Sequence, residues 1–374
     1  MLDAQRKRGT FPQPMEFERP KYSQQEVDKA GRILASTPPN DSIEQAEAWD
    51  ILNNWRAAHN WPLHIVSEEL RRFTLSVEDI NLVPYRIKRF PSILKKLSQR
   101  KGKITLSSMQ DIGGCRAIVN SVDSIRKVVE LCKSGIPGHK IIDENDYIAN
   151  PKIQDGYRSH HLIVEFHSDD PEFADYNGMK TEIQIRSRYQ HSWATAVETV
   201  DLFTGSTLKS GRGPRNWHRF FKLMSSYFAD KEGTPMVWRA PPDIEQVKEN
   251  IRTHCRRNAT EAFLANCEMT VTWEFNKPEP TEPYYWLIKF DRLHTRTWSR
   301  SYRRDQGDQA FIDYAEWERR CNPENPIVLV SIESVDRLRE AYPNYYMDVY
   351  KFLRELRSIT GWEPLQDEWT FTQT

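Results

Sequence analysis

A strand-like run, MKTEIQIRS over residues 179–187, sets an acid, an amide and a base at alternate positions. In an extended chain alternate side chains share a face. Glu182, Gln184 and Arg186 therefore project together, while Thr181, Ile183 and Ile185 face a core. Taken alone, such a row is what a half-buried strand shows to water. A second acid, Asp111, precedes Gly113-Gly114-Cys115-Arg116, where two glycines permit close backbone approach and Arg116 projects opposite Ala117. Two carboxylates brought from neighbouring strands can hold one hard cation through oxygen, and such an ion polarises phosphoryl groups. The plain alternative is an ordinary turn aspartate beside an exposed arginine.

A third element, DYIANPKIQDGYRSHH over residues 146–161, carries Tyr157, Arg158 and His161 where a loop marked by Pro151 and Gly156 enters a strand. An aromatic ring beside cations suits a nucleobase that stacks while its phosphate is neutralised. The fourth is Tyr85 to Lys103, with eight basic residues and no acidic one. Arg86, Lys88 and Lys96 lie near multiples of a helical turn and predict one positive stripe if a helix continues through Pro91. A run of this kind is more often a solvated face. No GxxxxGK[ST] phosphate loop occurs, so ATP would need another cradle.

Elements must hold these groups in place. At 374 residues, with 38% hydrophobic residues, twelve Trp and sixteen Phe, and a mean hydropathy of -0.73, the chain reads as two globular domains with a heavily charged surface. Its 53 basic and 53 acidic residues cancel, which excludes a global pull toward nucleic acid and leaves only local patches. The first residues lack a signal peptide's apolar core and no apolar run approaches a membrane span, so a cytoplasmic protein is expected. Five cysteines without a CxxC pair predict buried thiols rather than zinc; His254-Cys255 with Cys267 is the nearest approach to a site.

Capping boxes at Ser23/Glu26 and Asp41/Glu44 predict two helices, the second stopping at Trp61-Pro62, and a third spans Leu63 to Phe73. Strands are expected at Cys115–Asn120, His161–Phe166 and Met179–Ser187, with helices at Val122–Ser134, Tyr189–Phe203, Arg215–Phe228 and Ile244 to about Leu264. Beyond a boundary near residue 265, alternation returns at Met269–Phe275 and at Tyr284, Trp286, Ile288 and Phe290. A strand at Thr295–Tyr302, a helix at Gln309–Arg320 and a strand at Ile327–Ile332 follow. The tail from Val335 to Ile359 reads as helix broken at Pro343. The expected class is α+β, a mixed sheet flanked by helices. Residues 1–265 form one domain, helical over residues 1–80 and carrying the chemistry at 80–205, and residues 266–374 form a smaller strand-rich and helical one.

The four elements, in this order over about residues 80–205, resemble the RelA/SpoT synthetase family. That family shows an RxK…SIxxK segment, a DIxGxR strand, a DYIxxPKxxGYRSxH loop and an EIQIR strand followed by H-x-W-A. Here these are Arg86-Ile87-Lys88 with Ser92 to Lys96, Asp111 to Arg116, Asp146 to His161, and Glu182 to Arg186 with His191-Ser192-Trp193-Ala194. The resemblance implies a nucleotidyltransferase-like fold and transfer of pyrophosphate from ATP to a 3′-hydroxyl. It implies magnesium held by Asp111 and Glu182, adenine between Arg86 and Arg116, and phosphates on Lys88 and Lys96. Tyr157, with Arg158 beside it, would stack on the acceptor base, and His161 and Gln184 would lie near the reacting groups. Two positions depart from the pattern: Asn145 stands where alarmone synthetases commonly carry Lys, and His160 fills a usually apolar position. Both bear on a guanosine nucleotide as acceptor and not on ATP.

About 80 residues precede these motifs, too few for the hydrolase domain of the long family members. The C-terminal region, with Ala341-Tyr342-Pro343-Asn344-Tyr345-Tyr346, resembles the fused toxin–antitoxin branch called CapRel. There a degenerate zinc-finger-like domain restrains a toxic synthetase, and a YxxY motif occludes the ATP site. That branch implies tRNA 3′-CCA ends as acceptor, translation arrest, and release by a phage protein such as a capsid subunit. Tyr342 and Tyr345 fit the motif; packing of a terminal helix is their plain alternative. Lys209, Arg212, Arg215 and Arg219 are the expected tRNA contacts, with Arg100 and Lys101 second. A housekeeping synthetase of a guanosine or adenosine alarmone and a non-enzymatic nucleotide-binding regulator are the competing functions.

Overall fold

The computed structural model describes residues 18–36, 42–79, 83–136, 138–204, 206, 208, 213–237, 241, 243–269, 272–275, 283–291, 296–320, 327–331 and 349–362. The helical start forms as α1 (Gln24–Ser36), α2 (Ile43–Ala58) and α3 (Asn60–Val77). The Ser23/Glu26 box is made, Glu26 accepting from the Ser23 backbone N–H at 2.8 Å and Ser23 Oγ from Glu26 N–H at 3.4 Å. At α2 the cap is Ser42, one residue past the expected Asp41, and its Oγ accepts from Gln45 N–H at 3.3 Å. Trp61-Pro62 does not stop a helix. The chain corners at His59, and Pro62 falls in the first turn of α3, where the missing N–H has no intrahelical partner to lose.

Five strands follow: β1 (Tyr85–Ile87), β2 (Gly113–Val119), β3 (Lys140–Asp146), β4 (His160–Glu165) and β5 (Lys180–Ser187). Between them run α4 (Phe90–Gln99) and α5 (Val122–Gly135). Four helices come next, α6 (Arg188–Thr204), α7 (Arg215–Lys231), α8 (Ile244–Asn258) and α9 (Thr260–Met269). The C-terminal region adds β6 (Thr272–Phe275), β7 (Pro283–Asp291), β8 (Arg296–Arg303), α10 (Gly307–Arg320), β9 (Ile327–Ser331) and α11 (Tyr350–Thr360).

All nine described strands form one mixed sheet in the order β3-β4-β5-β2-β1-β9-β7-β8-β6, so the α+β class holds. β2 and β5 run parallel. The two halves join where β1 meets β9, Tyr85 opposite Ser331 and Arg86 opposite Val330. One face of the first half is a dry core, with Leu63, Val66, Ile125 and Val128 from α3 and α5 against Cys115, Ala117, Ile183 and Ile185. α10 covers Tyr285, Leu287 and Leu329 in the second half. The boundary drawn at residue 265 falls inside α9. The chain beyond it is built into the same body, since α11 returns to pack Phe352 about Phe220, Phe221 and Phe228 at 6.1, 6.0 and 5.8 Å between ring centres. Cys115, Cys132, Cys255 and Cys267 are buried free thiols. Among the described residues no helix is long and apolar enough to cross a membrane.

Candidate active site

Strand parity assembles the site. Cross-strand partners share a face, and one row runs Asn145, His161, Gln184, Arg116 across β3, β4, β5 and β2. The adjacent row runs Ile163, Glu182, Gly114, Arg86 across β4, β5, β2 and β1. The alternation read from MKTEIQIRS is therefore the one observed, and it collects Arg86, Arg116, Glu182, Gln184 and His161 on the face away from α3 and α5. Gly114 leaves room between Arg86 and Glu182.

Asp111 lies just before β2. Its two carboxylate oxygens accept from Lys88 Nζ at 2.8 Å and Lys96 Nζ at 2.9 Å. Burial would raise its pKa, but the two ammonium groups outweigh that and hold the carboxyl below the usual range. The expected helical stripe is corrected here. Arg86 sits on β1, Lys88 in the turn after it, and Lys96 two turns into α4, which begins at Phe90 with Pro91 in its first turn. The cations converge through a strand–turn–helix, with Asp111 as their meeting point.

Glu182 is held by a closed ring of side chains. Its Oε1 pairs with His161 Nδ1 at 3.1 Å and its Oε2 accepts from Gln184 Nε2 at 2.7 Å. Arg186 donates to Gln184 Oε1 at 2.8 Å and to the Tyr157 hydroxyl at 2.7 Å, and that hydroxyl closes the ring on His161 Nε2 at 2.7 Å. Burial pushes the Glu182 pKa up, yet His161, Gln184 and the charge of Lys88 carry it down to about 2. The Tyr157 pKa is likewise pushed up by burial and pulled further down, to about 7, chiefly by Arg186 and then His161. His161 is raised: burial lowers it, and Tyr157 and Glu182 overcome that.

Gly156 sets Tyr157 in place. It has φ +87°, and a Cβ there would lie 3.3 Å from Lys222 Cα and Ser225 Cβ on α7; Ser225 Oγ donates to its carbonyl at 2.6 Å. Only glycine fits both demands. The Tyr157 ring is 8% exposed and stands edge-on to Tyr147 and Trp193. Tyr147 is half-buried, with Lys152 Nζ 4.2 Å from its ring centre. Sequence reasoning does not single out Tyr147 and Lys152, although the same loop motif contains them.

Arg158, expected beside Tyr157 at the acceptor, is placed differently from it. It is 2% exposed and turned toward the helices, donating to Glu232 Oε2 at 2.6 Å and to Thr234 Oγ1. Its guanidinium supports the loop from below. The two departures from the family pattern separate likewise. Asn145 is on the site face beside His161, whereas His160 is buried on the opposite face among Glu144, Asp146 and Arg126, out of reach of an acceptor. Arg215 and Arg219 are placed one turn apart at the start of α7, both exposed, and Arg100 and Lys101 are exposed after α4. Lys209, Arg212, Tyr342 and Tyr345 lie outside the described residues.

The donor chemistry fits a hard divalent cation, since Asp111 and Glu182 offer anionic carboxylate oxygens under the influence of the same lysine. Among the described residues no group of three or more His, Cys, Asp or Glu gathers as a metal cage. Two protein carboxylates with water and substrate phosphates are the usual company of magnesium.

Residues 85–200 match the family model of the region found in RelA / SpoT proteins, a span holding Arg86, Lys88, Lys96, Asp111, Arg116, Tyr157, His161, Glu182 and Gln184. The chain is 35% identical over 119 residues to the GTP pyrophosphokinase YwaC of Bacillus subtilis, covering 31% of this chain and 55% of that protein. It is 33% identical over 126 residues to the GTP pyrophosphokinase YjbM of the same organism, covering 33% and 56%. The chain thus spans about half the length of the curated relatives it matches. The crystal structure of the small alarmone synthetase 1 from Bacillus subtilis aligns at 26% identity over 49% of this chain and 92% of that one, with a TM-score of 0.40.

Proposed function

We propose that this chain is an ATP-dependent pyrophosphokinase. The observation that carries the reading is the meeting of Lys88 and Lys96 on Asp111, beside anionic Glu182, within the RelA/SpoT region. Arg86 and Arg116 flank the adenine. Lys88 and Lys96 move from Asp111 onto the phosphates, and the freed carboxylate oxygens of Asp111 and Glu182 would hold magnesium, which would supply charge neutralisation on the phosphoryl oxygens. The acceptor 3′-oxygen attacks the β-phosphorus, the bond from the β-phosphorus to the α–β bridging oxygen breaks, and AMP leaves. His161, bridging Glu182 and Tyr157, holds a proton site on that face, and pre-aimed cations stabilise the developing charge.

For the acceptor, a tRNA 3′-CCA end is the first reading. Asn145, beside His161, removes the cation that alarmone synthetases commonly place there, and Arg215 and Arg219 can follow a phosphate backbone. A guanosine nucleotide is the second, favoured by the names of the two GTP pyrophosphokinase relatives. Incubation with γ-labelled ATP and either tRNA or GDP separates them: label on tRNA, falling steeply with salt, supports the first, and label on GDP alone rejects it.

The C-terminal region is proposed to restrain the toxin until a phage protein, such as a capsid subunit, binds it. Supporting this, β9 lies directly beside Arg86, and Tyr342 and Tyr345 follow β9 in sequence. Their rings would compete for Arg86 or Arg116 through the cation–π attraction that adenine uses. Replacing both by Ala is expected to arrest growth without phage, and Glu182→Gln in the same chain to abolish the arrest. A harmless, folded, well-expressed double variant would remove Tyr342 and Tyr345 from the mechanism.

A further inference from the structure

Outside the site, one ion pair with nearly buried side chains ties the two halves of the chain together. Arg56 on α2 and Glu318 on α10 meet at 2.9 Å with side chains 5% and 4% exposed. Two further polar bonds of this pair go to the junction between β1 and α4. Arg56 Nε donates to the Lys88 carbonyl at 3.0 Å, and Glu318 Oε1 accepts the Phe90 N–H at 2.7 Å. Another runs from Arg56 Nη2 to the Tyr314 hydroxyl at 3.0 Å. The guanidinium also lies 3.6 Å over the Phe90 ring centre.

Those two backbone groups bracket Arg89, the residue at which the chain turns from strand to helix. Lys88 N–H is fixed on the other side by the Ile112 carbonyl at 2.7 Å, next to Asp111. Phe90 N–H is one of the donors a helix leaves unpaired at its start. Arg89, the N-cap residue, offers no side-chain bond, so a carboxylate from 228 residues away caps α4 instead, where the helix dipole favours negative charge. The angle of α4 against β1 determines where Lys96 stands relative to Lys88.

We infer that Arg56 and Glu318 are positioning residues for the ATP phosphates, through which the C-terminal region holds Lys88 and Lys96 at their working separation. The inference rests on the reading of these lysines as phosphate-binding. Its consequence is that α10 contributes to ATP affinity, so any release of restraint must leave α10 seated. Neither residue belongs to the segment 85–200 that matches the family model, so the device uses both flanks of that region.

The test uses the full chain and compares wild type with Glu318→Gln, which keeps an acceptor for Phe90 N–H but abandons the charge of Arg56. Because a stranded buried charge can unfold a protein, the pair Arg56→Met with Glu318→Met is measured beside it. The readouts are calorimetric affinity for ATP and for adenosine, and amide exchange over residues 88–97. ATP affinity is expected to fall about tenfold or more, the loss of a charge-assisted arrangement, while adenosine affinity stays within about twofold and exchange over 88–97 accelerates. Equal loss for ATP and adenosine, a lowered site count at unchanged affinity, or tighter ATP binding would each overturn the inference. The underlying reading has its own control. If Lys96→Ala leaves wild-type ATP affinity unchanged, the lysines are not phosphate ligands, and the amide exchange still reports whether Glu318 holds the junction.

Discussion

One face of the sheet changes character at a single strand boundary. From β3 to β1 it carries Asn145, His161, Gln184, Glu182, Arg116 and Arg86; across the seam the next residue of Arg86's row is Val330, followed by Trp286. Val330, Trp286, Ile288, Phe290 and Val328 on that side are all 1% exposed or less, with Leu202 and Phe203 of α6 packed on Phe290. The backbone is the same pleated surface on both sides. What differs is that the first half buries charge and must answer each charge with a partner, while the second buries hydrocarbon and answers with contact. The first arrangement can exchange partners when a substrate arrives; the second cannot change without losing stability.

Neutralising the charged half should have the largest effect on activity. Glu182→Gln and Asp111→Asn are each expected to lower pyrophosphate transfer by roughly 10³-fold or more, since each removes an anionic oxygen from the proposed magnesium site. The fold should survive, because the shape is kept and the partners left behind have an outlet: Lys88 and Lys96 are 23% and 29% exposed and stay hydrated, and His161 can lose its proton. Transfer measured at saturating magnesium, beside a thermal melt, checks both halves of the statement. Near-normal transfer in either variant removes these carboxylates from the chemistry.

The opposite break is made at Trp286. Trp286→Ala should cost about 3–5 kcal/mol of stability, read as a lowered denaturant midpoint. Transfer per folded molecule should change far less, because Trp286 is two strands from Arg86. A transfer loss as large as that of Glu182→Gln, in protein that remains folded, would mean that the apolar half is part of the site.

The carboxylates are legible in the sequence for a physical reason: a strand's period of two is a strong signal, and Glu182, Gln184 and Arg186 have to share a face whatever the sheet. The long helices are legible through their apolar spacing. β3 is not, because its sequence KIIDEND is polar and lies at a sheet edge, where few apolar positions are demanded. β1 reads as helix in the sequence since its three residues are too few to show a period, and their strand state is fixed by pairing with β2 and β9. Arg158 and Tyr157 sit side by side in one motif, yet only one faces the site; the positive φ at Gly156 and the packing of α7 decide that, and neither is visible in residue types. The Arg56–Glu318 pair joins residues 262 apart in the chain, and no local pattern announces it.

The charged half also carries an effect that grows with pH and is smallest at neutrality. Tyr157 and His161 share a 2.7 Å bond, with Arg186 on the hydroxyl and Glu182 on the imidazole, so the two titrate as a pair. The Tyr157 pKa is lowered from the ordinary tyrosine value of 10 to about 7 in the folded chain. Between those pH values the unfolded chain binds one more proton than the folded one, so stability rises with pH. The contribution is complete above the unfolded value and is lost as pH falls through about 7. Relative to Tyr157→Phe, the wild type should therefore gain stability from neutral pH upward, and tyrosinate absorbance should reveal one ionisation near neutrality that the variant lacks. An absorbance change confined to about pH 10 would show the hydroxyl still protonated and donating to a neutral His161. The only charges in the ring would then be those of Glu182 and Arg186, with Tyr157 and His161 joining them as neutral hydrogen-bonding groups.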